Sequence, residues 1–358
     1  MVVVAAEHRD GTCPKSFICD AKGPNSRFVE YDSISHQPSP DVLHKRSNQL
    51  RIRLTELGLI YDMLIKLDQG KKLSNYNTVE DDGHGAEVFQ SAESKLDVLR
   101  PGKITWAGHS FGAASVAQFV KSIFWRKPRK AGNFKPLYDP PRDHPLISQI
   151  TPASPLILLD PWALPFHDDQ TSWLLDQELP CYSTDKPNGS TVLAILSEGF
   201  FKWNGNLVQV KKYMSPRSKN VQEPAHIFYA KTSAHLSQSD FGVLFPWVTR
   251  MMLKTSDPDR ILRLNTRAAM EVVRRAGIEV SDTSDIDMER TTSKDQAKVP
   301  PPNGIFSDQD ILSNDADRIQ GWIALDLRKE IHAGEGSNTK VSHGAPPSEI
   351  MMEEEVRA

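Results

Sequence analysis

Short apolar runs alternate with amphipathic stretches over roughly the first 280 residues of the chain. Five runs have the length and composition of buried strands: 1–6, 104–107, 155–159, 191–196 and 226–230. Three other stretches are predicted to be helical: 41–67, a short segment within 86–99, and 260–276. Because strands and helices alternate, the pattern predicts the α/β class, with a mostly parallel central sheet flanked by helices.

Polar stretches separate these elements and dominate the end of the chain. Residues 11–40, rich in Pro, Ser and Asp, are predicted to be a loop, and residues 126–153 an excursion from the sheet. From about residue 280 the composition turns to Ser, Asp, Thr, Pro and Lys. We therefore expect a folded α/β domain at 1–279 and a mostly disordered tail at 280–358, with one short helix near 317–332.

Composition narrows the classes of function. The chain has 358 residues and a formal net charge of -3. It therefore lacks the excess of basic residues that would indicate a nucleic-acid partner. Three cysteines, Cys13, Cys19 and Cys181, form neither a disulfide framework nor a zinc motif, and we expect no metal. No apolar run is long enough to cross a bilayer, and the first residues do not have the form of a signal peptide. We expect a cytoplasmic protein.

A nucleophile motif follows the second apolar run. The run at 104–107 leads into Gly-His-Ser-Phe-Gly at 108–112, and an Ala-rich helical segment comes next. In this pattern Ser110 lies on a sharp strand-to-helix turn, above the carboxyl edge of the sheet. Gly108 and Gly112 are expected to let the strand and the helix pass without a side-chain clash. We predict Ser110 as the nucleophile of a serine hydrolase.

A nucleophilic serine needs a base, and the base needs an acid that orients it. Working residues of an α/β sheet follow the carboxyl ends of strands, which selects Asp160 after 155–159 and His235 after 226–230. The order Ser110, Asp160, His235 is that of α/β hydrolases. The weaker candidates are Asp168, Asp169 and Asp176 for the acid, and His226, His332 and His343 for the base. His109 is expected to be structural, with its side chain turned away from the nucleophile.

Several segments together resemble one family. They are EHRDGT at 7–12, ITWAGHSFGAAS at 104–115, LLDPWALP at 158–165, LSEGFF at 196–201 and SAHLSQSDFGVLFP at 233–246. In this order they resemble the platelet-activating-factor acetylhydrolases, also known as calcium-independent phospholipases, over roughly residues 1–275. The resemblance implies an α/β-hydrolase fold, a Ser110–Asp160–His235 triad without cofactor or metal, and one oxyanion donor from the amide N–H of Phe111.

The same resemblance implies an activity, that of a 1-alkyl-2-acetylglycerophosphocholine esterase. Such an enzyme hydrolyses the short sn-2 acyl ester of an ether or oxidised phospholipid through an acyl-enzyme on the serine. Two alternatives stay open at this point. One is a broader carboxylesterase or lipase, and the other is a catalytically impaired relative that binds lipid.

The second alternative comes from a departure from the family pattern. The chain is expected to begin at the family's fourth strand, so that the upstream strands and the Gly-rich loop with the second oxyanion donor are missing. Gly83-His84-Gly85 is the only segment of the sequence found that could replace this Gly-rich loop. Its polar surroundings argue against a role as oxyanion donor. Loss of one oxyanion donor typically costs about a hundred- to a thousand-fold in turnover.

An apolar cluster follows the His235 loop. It consists of Phe241, Leu244, Phe245, Trp247 and Met251. In the resembled family a segment near this place touches lipid, so the phospholipid substrate could be met at a membrane or lipid interface. Apolar helix faces usually pack inward, however, and we favour a core helix under the sheet.

Overall fold

The computed structural model of the chain describes residues 2–20, 23–73, 92–126, 136–253, 255, 257–281, 311–314 and 319–328. The strands of this part of the chain are β1 (Lys15–Asp20), β2 (Gly23–Glu30), β3 (Trp106–His109), β4 (Leu156–Leu159), β5 (Val192–Ser197), β6 (His226–Ala230) and β7 (Trp322–Ala324). The α-helices are α1 (Pro40–Asp68), α2 (Phe111–Phe124), α3 (Leu146–Gln149), α4 (Glu198–Lys202), α5 (Asn204–Met214), α6 (Phe241–Leu244), α7 (Pro246–Leu253) and α8 (Pro258–Arg275). Short 3₁₀ helices lie at Leu164–Phe166, Ser172–Asp176, Pro180–Tyr182 and His235–Gln238.

A five-stranded sheet in the order β3-β4-β5-β6-β7 forms the centre of the fold. Strands β3 to β6 run parallel, and β7 is antiparallel to β6. All six residues of β5 are buried, as is typical of a parallel strand covered on both faces. The predicted α/β architecture with a mostly parallel sheet is confirmed. Four of the five predicted strands lie within two residues of their predicted positions.

The chain forms two compact units. The first comprises Met1–Ile104, Ser115–Ser154 and Leu164–Gln177, and the second comprises Thr105–Ala114, Pro155–Ala163 and Glu178–Ala358. All strands of the parallel sheet belong to the second unit, together with the loops that follow β3, β4 and β6. The candidate site therefore lies in one unit.

The core of the second unit is built by alternate residues of the strands and one face of α8. Leu193 and Ile195 on β5 and Phe228 and Ala230 on β6 face the same way, because strand side chains alternate between faces. From α8 this core receives Ile261, Leu264, Ala268, Val272 and Val273. The helix begins after Asp257, whose carboxylate accepts a hydrogen bond from the Arg260 amide at 3.1 Å.

The first unit is organised around the long helix α1. Its N-cap is Ser39, whose hydroxyl accepts a hydrogen bond from the Val42 amide at 3.2 Å, and Pro40 occupies the first turn. A buried ion pair joins Arg53 Nε to Asp10 Oδ2 at 2.5 Å. Burial by itself would raise the pKa of Asp10, but the Arg53 guanidinium and hydrogen bonds from Thr12 outweigh it and lower the pKa.

Two predictions for the first unit are wrong. Residues 2–6 form no strand, and Val2, Val3 and Val4 are exposed rather than buried, because these residues pair with no strand of the sheet. The predicted loop at 11–40 contains the antiparallel hairpin of β1 and β2. Of the helix predicted within 86–99, residues 92–95 form a turn and residues 96–99 are not helical. The remainder lies outside the described residues, as does Gly83-His84-Gly85.

The predicted tail also holds a strand. Where a helix was expected at 317–332, Trp322–Ala324 forms β7 and pairs with Ala230, Tyr229 and Phe228 of β6. Ile311, Leu312 and Trp322 are buried in the core of the second unit. The expected domain limit at residue 279 is therefore too early. The disorder predicted for most of 280–358 concerns residues outside the described part.

Candidate active site

The turn after β3 has the geometry of a nucleophile elbow. Ser110 follows β3 directly and has a φ of 58°, a left-handed conformation that is costly for a residue other than glycine. The Ser110 amide donates to the Leu159 carbonyl at 2.8 Å, and α2 begins at the next residue. The serine is thus held between a parallel strand and the N-terminus of a helix.

The two glycines of the elbow differ in their surroundings. A Cβ on Gly108 would lie 2.3 Å from the Gly112 carbonyl oxygen and 2.7 Å from the Ala113 nitrogen, so the close approach of strand and helix requires glycine there. A Cβ on Gly112 would have no atom within 4 Å. The expected steric role is confirmed for Gly108 and wrong for Gly112.

Asp160 follows β4 and is fully buried. Its φ of 43° makes it a second left-handed residue at the carboxyl edge of the sheet. Its Oδ1 accepts a hydrogen bond from the Ser197 amide at 2.6 Å, and its Oδ2 lies 2.8 Å from His235 Nδ1. Both carboxylate oxygens thus have partners, which a buried charge requires.

His235 opens the 3₁₀ helix after β6, and its side chain is buried. The Phe200 ring from α4 stacks on its imidazole, with ring centroids 4.6 Å apart and an interplanar angle of 16°. His109, the last residue of β3, places its Nε2 3.3 Å from His235 Nδ1. The histidine expected to be only structural therefore contacts the candidate base.

The loop that carries His235 is fastened to the start of α4. The Glu198 amide donates to the Ser233 carbonyl at 3.2 Å, and Glu198 Oε2 accepts from the Thr232 amide at 2.6 Å. Thr232 has a φ of 54°, which is unusual for a β-branched residue. Partial burial would raise the pKa of Glu198, but the bonds from Lys202 and Thr232 lower it, so the carboxylate stays available as an acceptor.

Trp162 and Asn206 support the Asp160 loop, and sequence reasoning did not assign them a role. The Trp162 ring meets Phe111 edge to face with centroids 5.8 Å apart, and its amide donates to the Ser110 carbonyl at 3.4 Å. The Asn206 side chain accepts from the Ala163 amide at 2.8 Å and donates to the Pro161 carbonyl at 3.0 Å. Trp162 lies in the LLDPWALP segment and Phe200 in the LSEGFF segment, both of which carry the family resemblance, whereas no such segment contains Asn206.

The weaker candidates lie in other contacts. Asp168 Oδ1 accepts from the Gln170 amide at 2.8 Å within its own loop. His226 lies at the opposite end of β6 from His235, where its Nε2 is 3.4 Å from Glu223 Oε1 and 3.2 Å from Arg275 Nη1. His332 and His343 lie outside the described residues. The structure thus brings Asp160, rather than one of its alternatives, to His235.

Among the described residues, one group has metal-ligand spacing, and it is His109, Asp160 and His235, with ligand atoms within 4.8 Å of one another. A hydrogen bond of 2.8 Å between His235 Nδ1 and Asp160 Oδ2 calls for a proton on Nδ1, in the place where a metal would bind. The donor set therefore fits a hydrogen-bonded pair, and the prediction that no metal is needed stays a prediction.

The apolar cluster that follows the His235 loop does not belong to a core helix. Leu244, Phe245, Trp247 and Met251 are exposed, with Trp247 at 70% of its full accessibility. The expectation that this face packs under the sheet is wrong. Among the helices that the structure describes, none has the length and apolar character to cross a membrane.

The class that the fold defines is that of the α/β-hydrolase fold. Its marks here are a mostly parallel sheet, a serine with a left-handed backbone at a strand-to-helix turn, and an aspartate–histidine pair after β4 and β6. Comparison with protein-family models gives a match over residues 1–294 to platelet-activating factor acetylhydrolase, isoform II. The chain belongs to this family.

Individual relatives are distant. A Schizosaccharomyces pombe protein named "Putative phospholipase A2" is 26% identical over 303 residues, which are 78% of this chain and 62% of that protein. A Canis lupus familiaris protein named "Platelet-activating factor acetylhydrolase" is 27% identical over 121 residues, which are 33% of this chain and 25% of that protein. The chain thus matches about three fifths of the length of the first relative and a quarter of the second.

Proposed function

We propose that this protein is a serine esterase that hydrolyses the short sn-2 acyl ester, acetyl above all, of platelet-activating factor and similar ether or oxidised phospholipids. The observation that carries the proposal is the fully buried Asp160–His235 hydrogen bond of 2.8 Å at the edge of a sheet that also presents the Ser110 elbow. Family membership and the names of the relatives support phospholipid as the substrate class.

The first half of the reaction forms an acyl-enzyme. His235 accepts the Ser110 hydroxyl proton as the serine oxygen attacks the ester carbonyl. Asp160 keeps the Nδ1 proton of His235 in place and stabilises the imidazolium that forms, while the Phe111 amide N–H donates to the developing oxyanion. His235 then returns the proton to the leaving lyso-lipid alcohol. In the second half, water attacks the acyl group with the same histidine as base, and acetate leaves.

The test is release of acetate from an sn-2 acetyl ether phospholipid, with a metal chelator present. The unmodified chain is expected to hydrolyse the substrate, and Ser110→Ala to lose at least a thousand-fold in kcat because no nucleophile remains. Ser148→Ala, at an exposed serine, is the matched control and should keep full activity. A folded parent chain without activity, or an active Ser110→Ala variant, would contradict the proposal.

The length of the acyl chain separates the proposal from a broader carboxylesterase or lipase. With sn-2 chains lengthened stepwise from acetyl to palmitoyl, kcat/KM should fall steeply for an acetylhydrolase. A rate that holds or rises toward long chains would support the broader enzyme instead. Binding of the substrate without turnover by the parent chain would support the catalytically impaired relative.

We also propose that the exposed surface formed by Leu244, Phe245, Trp247 and Met251 docks on phospholipid. The α6 helix that begins this surface contacts the 3₁₀ helix of His235, so lipid held there lies near the site. Burial of large apolar side chains in a bilayer surface is favourable by about 25 cal/mol per Å² removed from water. An aromatic side chain such as Trp247 is suited to the headgroup level.

The docking proposal is tested with vesicles of phosphatidylcholine. The variant Leu244→Ser/Trp247→Ser/Met251→Ser should sediment with vesicles at least ten-fold less than the parent and still hydrolyse a water-soluble short-chain ester at the parent rate. Leu59→Ser, at an exposed leucine of α1, is the control and should leave vesicle binding unchanged. Equal sedimentation of all variants would contradict docking, and a parent that dimerises where the triple variant is monomeric would assign the surface to a second copy.

A further inference from the structure

The start of α4 is bound to both partners of the candidate site. The Ser197 amide donates to Asp160 Oδ1 at 2.6 Å. The next amide, that of Glu198, donates to the Ser233 carbonyl at 3.2 Å. Ser233 lies two residues before His235 in the loop that follows β6. Two consecutive peptide groups thus fix the acid and the loop of the base relative to each other.

The Glu198 side chain reaches the same loop at a residue with a costly backbone conformation. Its Oε2 accepts a hydrogen bond from the Thr232 amide at 2.6 Å. Thr232 has a φ of 54°, and its side chain is exposed, so burial of that side chain does not hold the backbone in the left-handed region. A hydrogen bond from an amide to a carboxylate is charge-assisted and stronger than one to a neutral acceptor. The Glu198 carboxylate therefore offsets the cost of this conformation.

We propose that Glu198 is a positioning residue for the candidate base, whose carboxylate keeps Thr232 left-handed and thereby holds His235 against Asp160. The inference rests on the proposed esterase function. A rotation of the backbone at Thr232 is carried forward to the residues that follow it, and His235 is only three residues away. The hydrogen bond between His235 Nδ1 and Asp160 Oδ2, 2.8 Å long, would be lost with a shift of about 1 Å. Displacement of a reacting group by this amount can cost about a hundred-fold in rate.

A second interaction of Glu198 supplies the control. Its Oε1 forms an ion pair with Lys202 Nζ at 2.8 Å, one turn further along α4. An ion pair at this spacing, with an exposed lysine, stabilises a helix only slightly. The two carboxylate oxygens thus have different partners. Removal of Lys202 leaves the acceptor of the Thr232 amide in place, whereas loss of the carboxylate removes both contacts.

Three variants separate positioning of the loop from stability of the helix. Glu198→Gln keeps an acceptor oxygen, Glu198→Met keeps a side chain of similar length without one, and Lys202→Met removes the ion pair alone from the Glu198 carboxylate. We expect Glu198→Met to lower kcat about ten-fold on the sn-2 acetyl substrate with KM little changed, since the loop then adopts other conformations. Glu198→Gln and Lys202→Met should each lose about two-fold at most. A loss in either of them as large as that in Glu198→Met, or no loss in Glu198→Met, would overturn the proposal.

The Nδ1–H proton of His235 gives a readout that does not depend on turnover, because it reports on the hydrogen bond to Asp160. In a Ser110→Ala background with ¹⁵N-labelled histidine, its resonance should broaden through exchange with water in Glu198→Met and stay sharp in Glu198→Gln and Lys202→Met, each verified as folded by circular dichroism. A sharp resonance at the parent position in Glu198→Met would overturn the positioning role. If the parent chain lacks esterase activity, the proposed function fails alone, and this resonance still decides on Glu198.

Discussion

Gly108 and Gly112 flank the same serine, yet only one of them is sterically required. At Gly108 an added Cβ would overlap backbone atoms of Gly112 and Ala113, which cannot move without opening the elbow. We expect Gly108→Ala to lower the free energy of unfolding by about 3 kcal/mol, the upper range for overpacking. Gly112→Ala should be within about 0.5 kcal/mol of the parent or more stable, since alanine favours the helix. Urea denaturation of the two variants measures the difference, and equal effects would contradict the steric argument.

At the residue scale, the sequence predicted those site residues that directly follow the carboxyl end of a strand. Asp160 and His235 were predicted because each follows a buried run, and the structure brings them together. The catalytic roles themselves stay predictions. The ring contacts of Phe200 and His109 with His235 could not be predicted, because they depend on which side chains meet in three dimensions rather than on spacing.

His226, on β6, links the stability of the second unit to pH. Burial is the main cause that lowers its pKa to about 4; the Glu223 carboxylate opposes this effect, and the Arg275 guanidinium adds to it. The unfolded chain binds a proton near pH 6.5 and the folded chain does not. The free energy of unfolding therefore has its full value, as far as His226 is concerned, above about pH 6.5. It falls by up to about 3 kcal/mol as the pH decreases toward 4.

The check on His226 is the free energy of unfolding at pH 7 and pH 5. The parent is expected to be less stable at pH 5, and His226→Gln should show a clearly smaller difference between the two values. His44→Gln, at an exposed histidine of α1, is the control and should retain the parent difference. A His226→Gln variant with the same pH dependence as the parent would contradict burial as the cause.

At the element scale, the central strands could be predicted because burial on both faces gives continuous apolar runs, as in β4 and β5. The same reasoning failed for residues 2–6, an equally apolar run that pairs with none of the described strands. The hairpin of β1 and β2 was missed because its Phe17 and Phe28 face solvent, so no burial pattern distinguishes it from a loop.

At the scale of the whole molecule, β7 joins a distant part of the chain to the sheet. Trp322 stacks on Phe228 with centroids 5.2 Å apart, and its indole N–H donates to the Ile311 carbonyl at 3.0 Å. We expect Trp322→Ala to lower the free energy of unfolding by about 3–5 kcal/mol, as for other buried tryptophans. Trp247→Ala, at an exposed tryptophan, is the control and should change it little. Thermal unfolding measures both, and a silent Trp322→Ala would show that β7 does not stabilise the fold.

The position of β7 in the sequence has a consequence for synthesis of the protein. Its partner β6 leaves the ribosome long before Trp322 does, and until then the Phe228 ring and the hydrogen-bonding edge of β6 have no cover from β7. Contacts between residues so far apart form late, and an uncovered strand edge invites aggregation. The nascent chain therefore has the greatest need of chaperones after β6 has left the ribosome and before β7 has followed it.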